Sequence, residues 1–126
     1  MAKGYLVVQV SLASQSLPLA GAEVKIYQKV DGNANLIKTS LTDPEGKTEK
    51  LQVDTPELIN SETPDNGLPV FSVFDILITA KGFYSVAVKD AQVFPERTSL
   101  QYVNMIPLPE GVREGEKIIV VTPQNL

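Results

Sequence analysis

The chain has 126 residues, 43% of them hydrophobic, and carries 11 Lys and Arg against 15 Asp and Glu, for a net charge of −4. That length suits one domain, and the scattered basic residues exclude the basic stripe of a nucleic-acid binder. There is no Cys and no His, which removes disulfides, thiolate metal sites and Cys nucleophiles together with the commonest general base and metal ligand.

The run from Gly4 to Val10 follows Met1-Ala2-Lys3. A secretory signal needs about 7–15 uninterrupted apolar residues. Gln9 and Ser11 interrupt this run, so no Sec signal is predicted, and no segment approaches the roughly 20 apolar residues of a membrane span. A strand is expected from about Tyr5 to Ala13, with Leu6, Val8, Val10 and Leu12 on one face and Tyr5, Val7, Gln9 and Ser11 on the other. Leu17-Pro18-Leu19-Ala20-Gly21 turns the chain into a second strand, where Ala22, Val24 and Ile26 alternate with Glu23, Lys25 and Tyr27. Asp31 to Asn35 reads as a hairpin turn, and a strand from about Leu36 to Leu41 follows. Asp43-Pro44-Glu45-Gly46 has the residues of a type I turn, leading to a short strand from Lys50 to Val53.

Asp54 to Pro69 is the longest irregular segment, and long loops are often functional. Its acids Asp54, Glu57, Glu62 and Asp65 form a candidate ligand or partner loop. Phe71 to Ala80 is a strong strand, with Phe74, Ile76 and Ile78 facing one way, and Lys81-Gly82 turns it into Phe83 to Val88. The stretch after Val88 reads as irregular until Phe94-Pro95. Leu100 to Ile106 closes the main body at Pro107-Leu108-Pro109. One more apolar run, Lys117 to Val121, lies in the tail. There is no internal repeat. Short β-branched runs between regular turn signals predict an all-β Greek-key sandwich of about seven strands plus a C-terminal strand. The expected division is a body over residues 1–109 and an extension over 110–126.

Three motifs stand in order: Pro18-Leu19-Ala20-Gly21-Ala22-Glu23-Val24, then Thr42-Asp43-Pro44-Glu45-Gly46, then the strand from Phe74 to Ala80 with Gly82-Phe83-Tyr84. Over about residues 4–109 they resemble the carboxypeptidase regulatory-like domain, a transthyretin-like sandwich. The opening Gly4-Tyr5-Leu6-Val7-Val8-Gln9-Val10, with Val93-Phe94-Pro95 and Val103-Asn104-Met105-Ile106-Pro107-Leu108-Pro109, is similar to the non-catalytic domain that accompanies clostridial spore cortex-lytic and other peptidoglycan-binding proteins. That resemblance implies an accessory role near peptidoglycan, with a cell-wall glycan or a hydrolase as partner. It implies a soluble bacterial protein, cytoplasmic or associated with spore or wall after release. Nothing after residue 109 resembles a hydrolase, so the domain either stands alone or has its activity supplied by a partner chain.

A transthyretin-like fold raises hydroxyisourate hydrolysis, which relies on histidines that this chain lacks. Asp31, Asn33 and Asn35 imitate the first ligands of an EF-hand, but Leu36 and Thr42 stand where Gly and a bidentate Glu are required. The loop acids would suit a hard cation, yet no rigid scaffold sets a carboxylate pair at glycosidase spacing. A Lys–Asn isopeptide bond would need Lys25 or Lys3 beside Asp75 and Asn104, and alternation points Asp75 away from Phe74 and Ile76 as an exposed acid. Tyr5, Tyr27, Tyr84 and Tyr102 are candidates for stacking on a sugar, whereas Phe71, Phe74, Phe83 and Phe94 are assigned to the core. Ile118, Ile119, Val120 and Val121 either add a strand to their own sheet or form a charge-free edge that pairs with another chain as a homo-oligomer. The expectation is a non-enzymatic binding or accessory module without cofactor. The alternative is a self-associating subunit of a surface or phage-tail-like assembly.

Overall fold

A computed structural model of the protein describes residues 2–12, 17–30, 33–55, 71–109 and 118–121. The strands are β1 (Ala2–Leu12), β2 (Leu17–Pro18), β3 (Glu23–Val30), β4 (Asn33–Leu41), β5 (Leu51–Thr55), β6 (Ser72–Thr79), β7 (Ser85–Val93), β8 (Thr98–Asn104) and β9 (Ile118–Val121). They form two sheets. In the four-stranded sheet β1 has β5 and the two-residue β2 along one edge and β8, running parallel, along the other. The five-stranded sheet has the order β4-β3-β6-β7-β9. Setting the two-residue β2 aside, this is the all-β sandwich of seven strands and a C-terminal strand that the alternation predicts.

The period of two selects the core. Leu6, Val8 and Val10 of β1, Leu51 and Val53 of β5, and Val103 of β8 are buried against Val24, Ile26, Phe74, Ile76, Ile78, Val86 and Val88 of the facing sheet. Each such side chain removed from water contributes about 1.5–3 kcal/mol. Of the four phenylalanines only Phe74 is fully buried. Phe83 packs partly on the core, and Phe71 and Phe94 form a tilted pair, ring centres 5.5 Å apart.

Turn chemistry holds the sheets together. Gly46 N donates to Asp43 O at 2.8 Å, and Gly46 sits at φ 80°, where a side chain would be strained. The Asp43 carboxylate accepts from the backbone N–H groups of Glu45 and Lys47. Buried Thr42 accepts from Ala22 N at 2.9 Å and donates to Leu19 O at 2.7 Å, tying the second motif to the first. Thr48 Oγ1 accepts from Val8 N at 3.0 Å.

Three expectations are corrected. The β3–β4 pairing continues to Val30↔Asn33, so Asn33 to Asn35 belong to a strand and only Asp31 and Gly32 separate the two. Asp31 and Gly32 themselves lie outside the described residues. The stretch after Val88 is not irregular, because β7 runs on to Val93. Its buried positions switch from Val86 and Val88 to Ala91 and Val93, since Lys89 and Asp90 bulge out opposite Asp75. Asp90 takes φ 62° and donates its N–H to Asp75 Oδ1 at 3.1 Å. Asp75 is therefore not exposed: it faces away from the core yet is buried, because its carboxylate fills the bulge.

Candidate functional site

Outward residues of the four-stranded sheet gather on one face. In β1 the alternation that buries Leu6, Val8 and Val10 turns Tyr5, Val7 and Gln9 outward, where they are half-buried. Pairing with β8 sets Tyr5 beside Thr98, Val7 beside Leu100 and Gln9 beside Tyr102. On the opposite edge Tyr5 pairs with Gln52 and Lys3 with Asp54. Two tyrosines thus lie on neighbouring strands with Val7 and Leu100 between their rows, and Leu100 is 38% exposed. The Lys50 ammonium stands 5.4 Å from the centre of the Tyr5 ring, within cation–π reach. Tyr27 lies on the other sheet, paired with Asp75. Tyr84 is bound through its N–H to Ile106 O. Neither joins the Tyr5–Tyr102 face.

At the Lys3 end this face opens into a cleft of about 380 Å³ lined by Lys3, Gln28, Ile37, Lys38, Gln52, Val53 and Asp54. The cleft lies between β5 and β4. Leu36 pairs with Tyr27 and Lys38 with Ile26, which leaves Ile37 as the extra residue of a bulge. Lys3 Nζ donates to the Asp54 carboxylate, with both side chains about half exposed. The hydrogen bond and charge of Lys3 hold the Asp54 carboxyl below its ordinary 3.8, and the Lys38 ammonium lowers it further.

Of the predicted loop acids, Asp54 is in this cleft, while Glu57, Glu62 and Asp65 lie outside the described residues. Among the described residues no group of three or more His, Cys, Asp or Glu side chains converges on a metal-sized site. The isopeptide constellation does not assemble. Lys25 and Asp75 lie on the five-stranded sheet, and Asn104 lies exposed on the other. Lys25 is paired with Glu23 at 3.3 Å and Lys3 with Asp54.

Ile118 to Val121 pair in parallel with Ser85 to Val88 of their own chain, and Ile119 packs partly on the core. β9 ends the five-stranded sheet with Val120 61% exposed, and β4 ends it on the other side with Leu36 and Leu41 exposed. Sequence reasoning missed the β4 edge and the cleft. An apolar pair, Leu36-Ile37, between Asn35 and Lys38 was the available signal. Among the described residues no helix is long and apolar enough to cross a membrane.

Neither a protein-family model nor a curated protein matches the sequence. Solved structures do resemble the fold. Catechol 1,2-dioxygenase from Acinetobacter sp. ADP1 is 13% identical with a TM-score of 0.56, over 95% of this chain and 58% of that one. (S)-allantoin synthase is 10% identical with a TM-score of 0.53, over 86% and 44%. Transthyretin from Sparus aurata is 18% identical with a TM-score of 0.46, over 78% and 86%. At such identities the first two likenesses establish a shared fold and nothing about activity. The chain spans about half the length of those two proteins.

Proposed function

We propose that this chain is a non-enzymatic binding module that attaches to bacterial peptidoglycan and works beside a hydrolase carried by another chain. The supporting observation is the outward face that sets Tyr5 and Tyr102 on adjacent strands with Gln9 and Gln52 beside them. Aromatic rings stack on the apolar face of a sugar, and side-chain amides pair with its hydroxyl and acetamido groups. The absence of His and Cys from the whole sequence supports binding over catalysis. The resemblance of the Gly4–Val10 and Val93–Pro95 segments to domains accompanying cortex-lytic enzymes supports the choice of glycan. The test is sedimentation of the purified chain with washed sacculi at low salt. Retention that drops several-fold in Tyr5→Ala and Tyr102→Ala variants is expected, and a chain left wholly in the supernatant refutes the proposal.

A second reading rests on a different observation: among the described residues β4 and β9 end the five-stranded sheet with no further strand beside them. An unpaired edge is a template for another strand, so the chain would self-associate through β9 as an assembly subunit. It would then elute well above its 13.7 kDa mass. Val120→Lys, which places a charge on that edge without uncovering β7, would return it to monomer. Elution of the unmodified chain as a monomer at all concentrations rules this reading out.

A further inference from the structure

We propose that the outer face of the four-stranded sheet binds an extended run of linked sugars laid along β1. A tyrosine–glutamine pair holds each end of the run, so the module recognises a glycan chain rather than a single sugar. This inference rests on the peptidoglycan reading and adds which part of the polymer is bound, its uncharged sugar backbone, and in which direction it lies.

Each tyrosine of this face has a glutamine as its cross-strand partner. Tyr5 of β1 pairs with Gln52 of β5, and Tyr102 of β8 pairs with Gln9 of β1. Burial alternates along all three strands, so these four side chains share the outward face. The same combination therefore occurs twice: a ring to stack on, and an amide for an acetamido or hydroxyl group. A site repeated on one surface fits a ligand that repeats its own unit.

The spacing sets the length of that ligand. The row of Gln9 and Tyr102 lies four residues along β1 from the row of Tyr5, about 14 Å, and Tyr102 stands one strand across, about 5 Å. A disaccharide is too short to lie on both rings at once, and a longer chain covers them. Val7 and Leu100 are paired between the two rows, and Leu100 is exposed. The strip of β1 and β8 from one tyrosine to the other thus carries no charged side chain. In intact peptidoglycan the acidic groups of the sugars are amide-linked to peptide, so the backbone it presents is uncharged too. Lys50, exposed just before β5, lies over the Tyr5 ring, and its flexible stem lets an incoming sugar displace it.

The probes are the β-1,4-linked disaccharide and tetrasaccharide of N-acetylglucosamine, titrated into the ¹⁵N-labelled full chain by NMR. The tetrasaccharide is expected to shift amides around Tyr5 and Gln52 and around Gln9 and Tyr102 together. It should bind at least about tenfold tighter than the disaccharide, because its second contact is intramolecular. Tyr5→Ala and Tyr102→Ala should each return it to the disaccharide's affinity. Tyr5→Phe and Tyr102→Phe, which keep the rings, should retain most of the gain, and Tyr27→Ala, on the other sheet, should bind as the unmodified chain does. Equal affinity for the two lengths, no binding of the tetrasaccharide, or shifts confined to one tyrosine–glutamine pair overturns the inference, all read on the unmodified chain. Sedimentation with sacculi separates the two proposals. Sacculus binding without length dependence sinks the extended-chain inference alone. Length-dependent binding of the tetrasaccharide with no retention on sacculi sinks the peptidoglycan reading alone.

Discussion

Replacing Gly4 by Ala tests how closely the N-terminal strand is clamped. A Cβ built at Gly4 would lie 2.6 Å from the Phe94 carbonyl oxygen, 2.6 Å from Val93 Cγ1 and 2.8 Å from Thr55 Cγ2. The carbonyl belongs to backbone that cannot rotate aside. Phe94 O accepts from Arg97 N, Glu96 N donates to Lys3 O, and Tyr5 N donates to Arg97 O, so the 94–97 turn is bonded to β1 on both sides of Gly4. Forcing a methyl into such a site costs about 1–3 kcal/mol. The φ of Gly4 is not positive, so Ala also stiffens the unfolded chain and returns up to about 1 kcal/mol. The net expectation is a loss of about 1–2 kcal/mol. With an unfolding entropy of roughly 2.1 cal/mol/K for each residue, a chain of 126 residues would melt about 4–8 °C lower. Calorimetry and urea unfolding would read this as a lower midpoint with an unchanged denaturant slope. Gly21, with φ 76° and open space where its Cβ would stand, separates the two causes: Ala there costs only the left-handed conformation, about 1 kcal/mol. A Gly4→Ala chain that melts at or above the unmodified temperature would refute the clamp.

Thr42→Val removes a buried hydroxyl that bonds both Ala22 N and Leu19 O, and stability should fall by about 2 kcal/mol in urea titration, with Thr42→Ser restoring most of it. Asp75→Ala leaves the Asp90 N–H without its carboxylate. A loss of about 1–3 kcal/mol is expected, with faster amide exchange confined to the 89–91 bulge. Asp54 ionises below its ordinary value because Lys3 favours the charged form. Its contact with Lys3 therefore stabilises the fold above about pH 4 and is lost as the pH falls through the lowered folded value. An NMR titration of the side-chain carboxyl that gives a midpoint at or above 3.8 would contradict this.

Much of the fold was legible because the signals were local. The alternation of Leu6, Val8 and Val10, and of Phe74, Ile76 and Ile78, identifies buried faces without any partner strand. The motif residues proved architectural: Thr42 ties to Ala22, Asp43 and Gly46 close the turn, and Gly4 abuts Val93 and Phe94. They make the sandwich readable while leaving its ligand unstated. The second half of β7 was lost to the reading because Lys89 and Asp90 shift the apolar positions from even to odd. The Asp75 carboxylate, on the neighbouring strand, accepts the Asp90 N–H at that shift. Asp75 itself was misplaced for the same reason: alternation gives a direction, and burial depends on what stands opposite.

The sequence by itself determined the all-β class, the strands' inward faces, the principal turns and the missing His and Cys. Composition and a period of two carry all of these within a few residues. Tertiary structure alone decided which outward residues become neighbours. Tyr5 and Tyr102 share one face because β1 and β8, from opposite ends of the chain, pair in parallel. Lys38 faces Asp54 across a cleft that neither strand forms alone. β9 completes its own chain's sheet, though the same four residues would suit another chain's edge equally well. The register between distant strands is set by the packing of the whole core, so no local pattern records it.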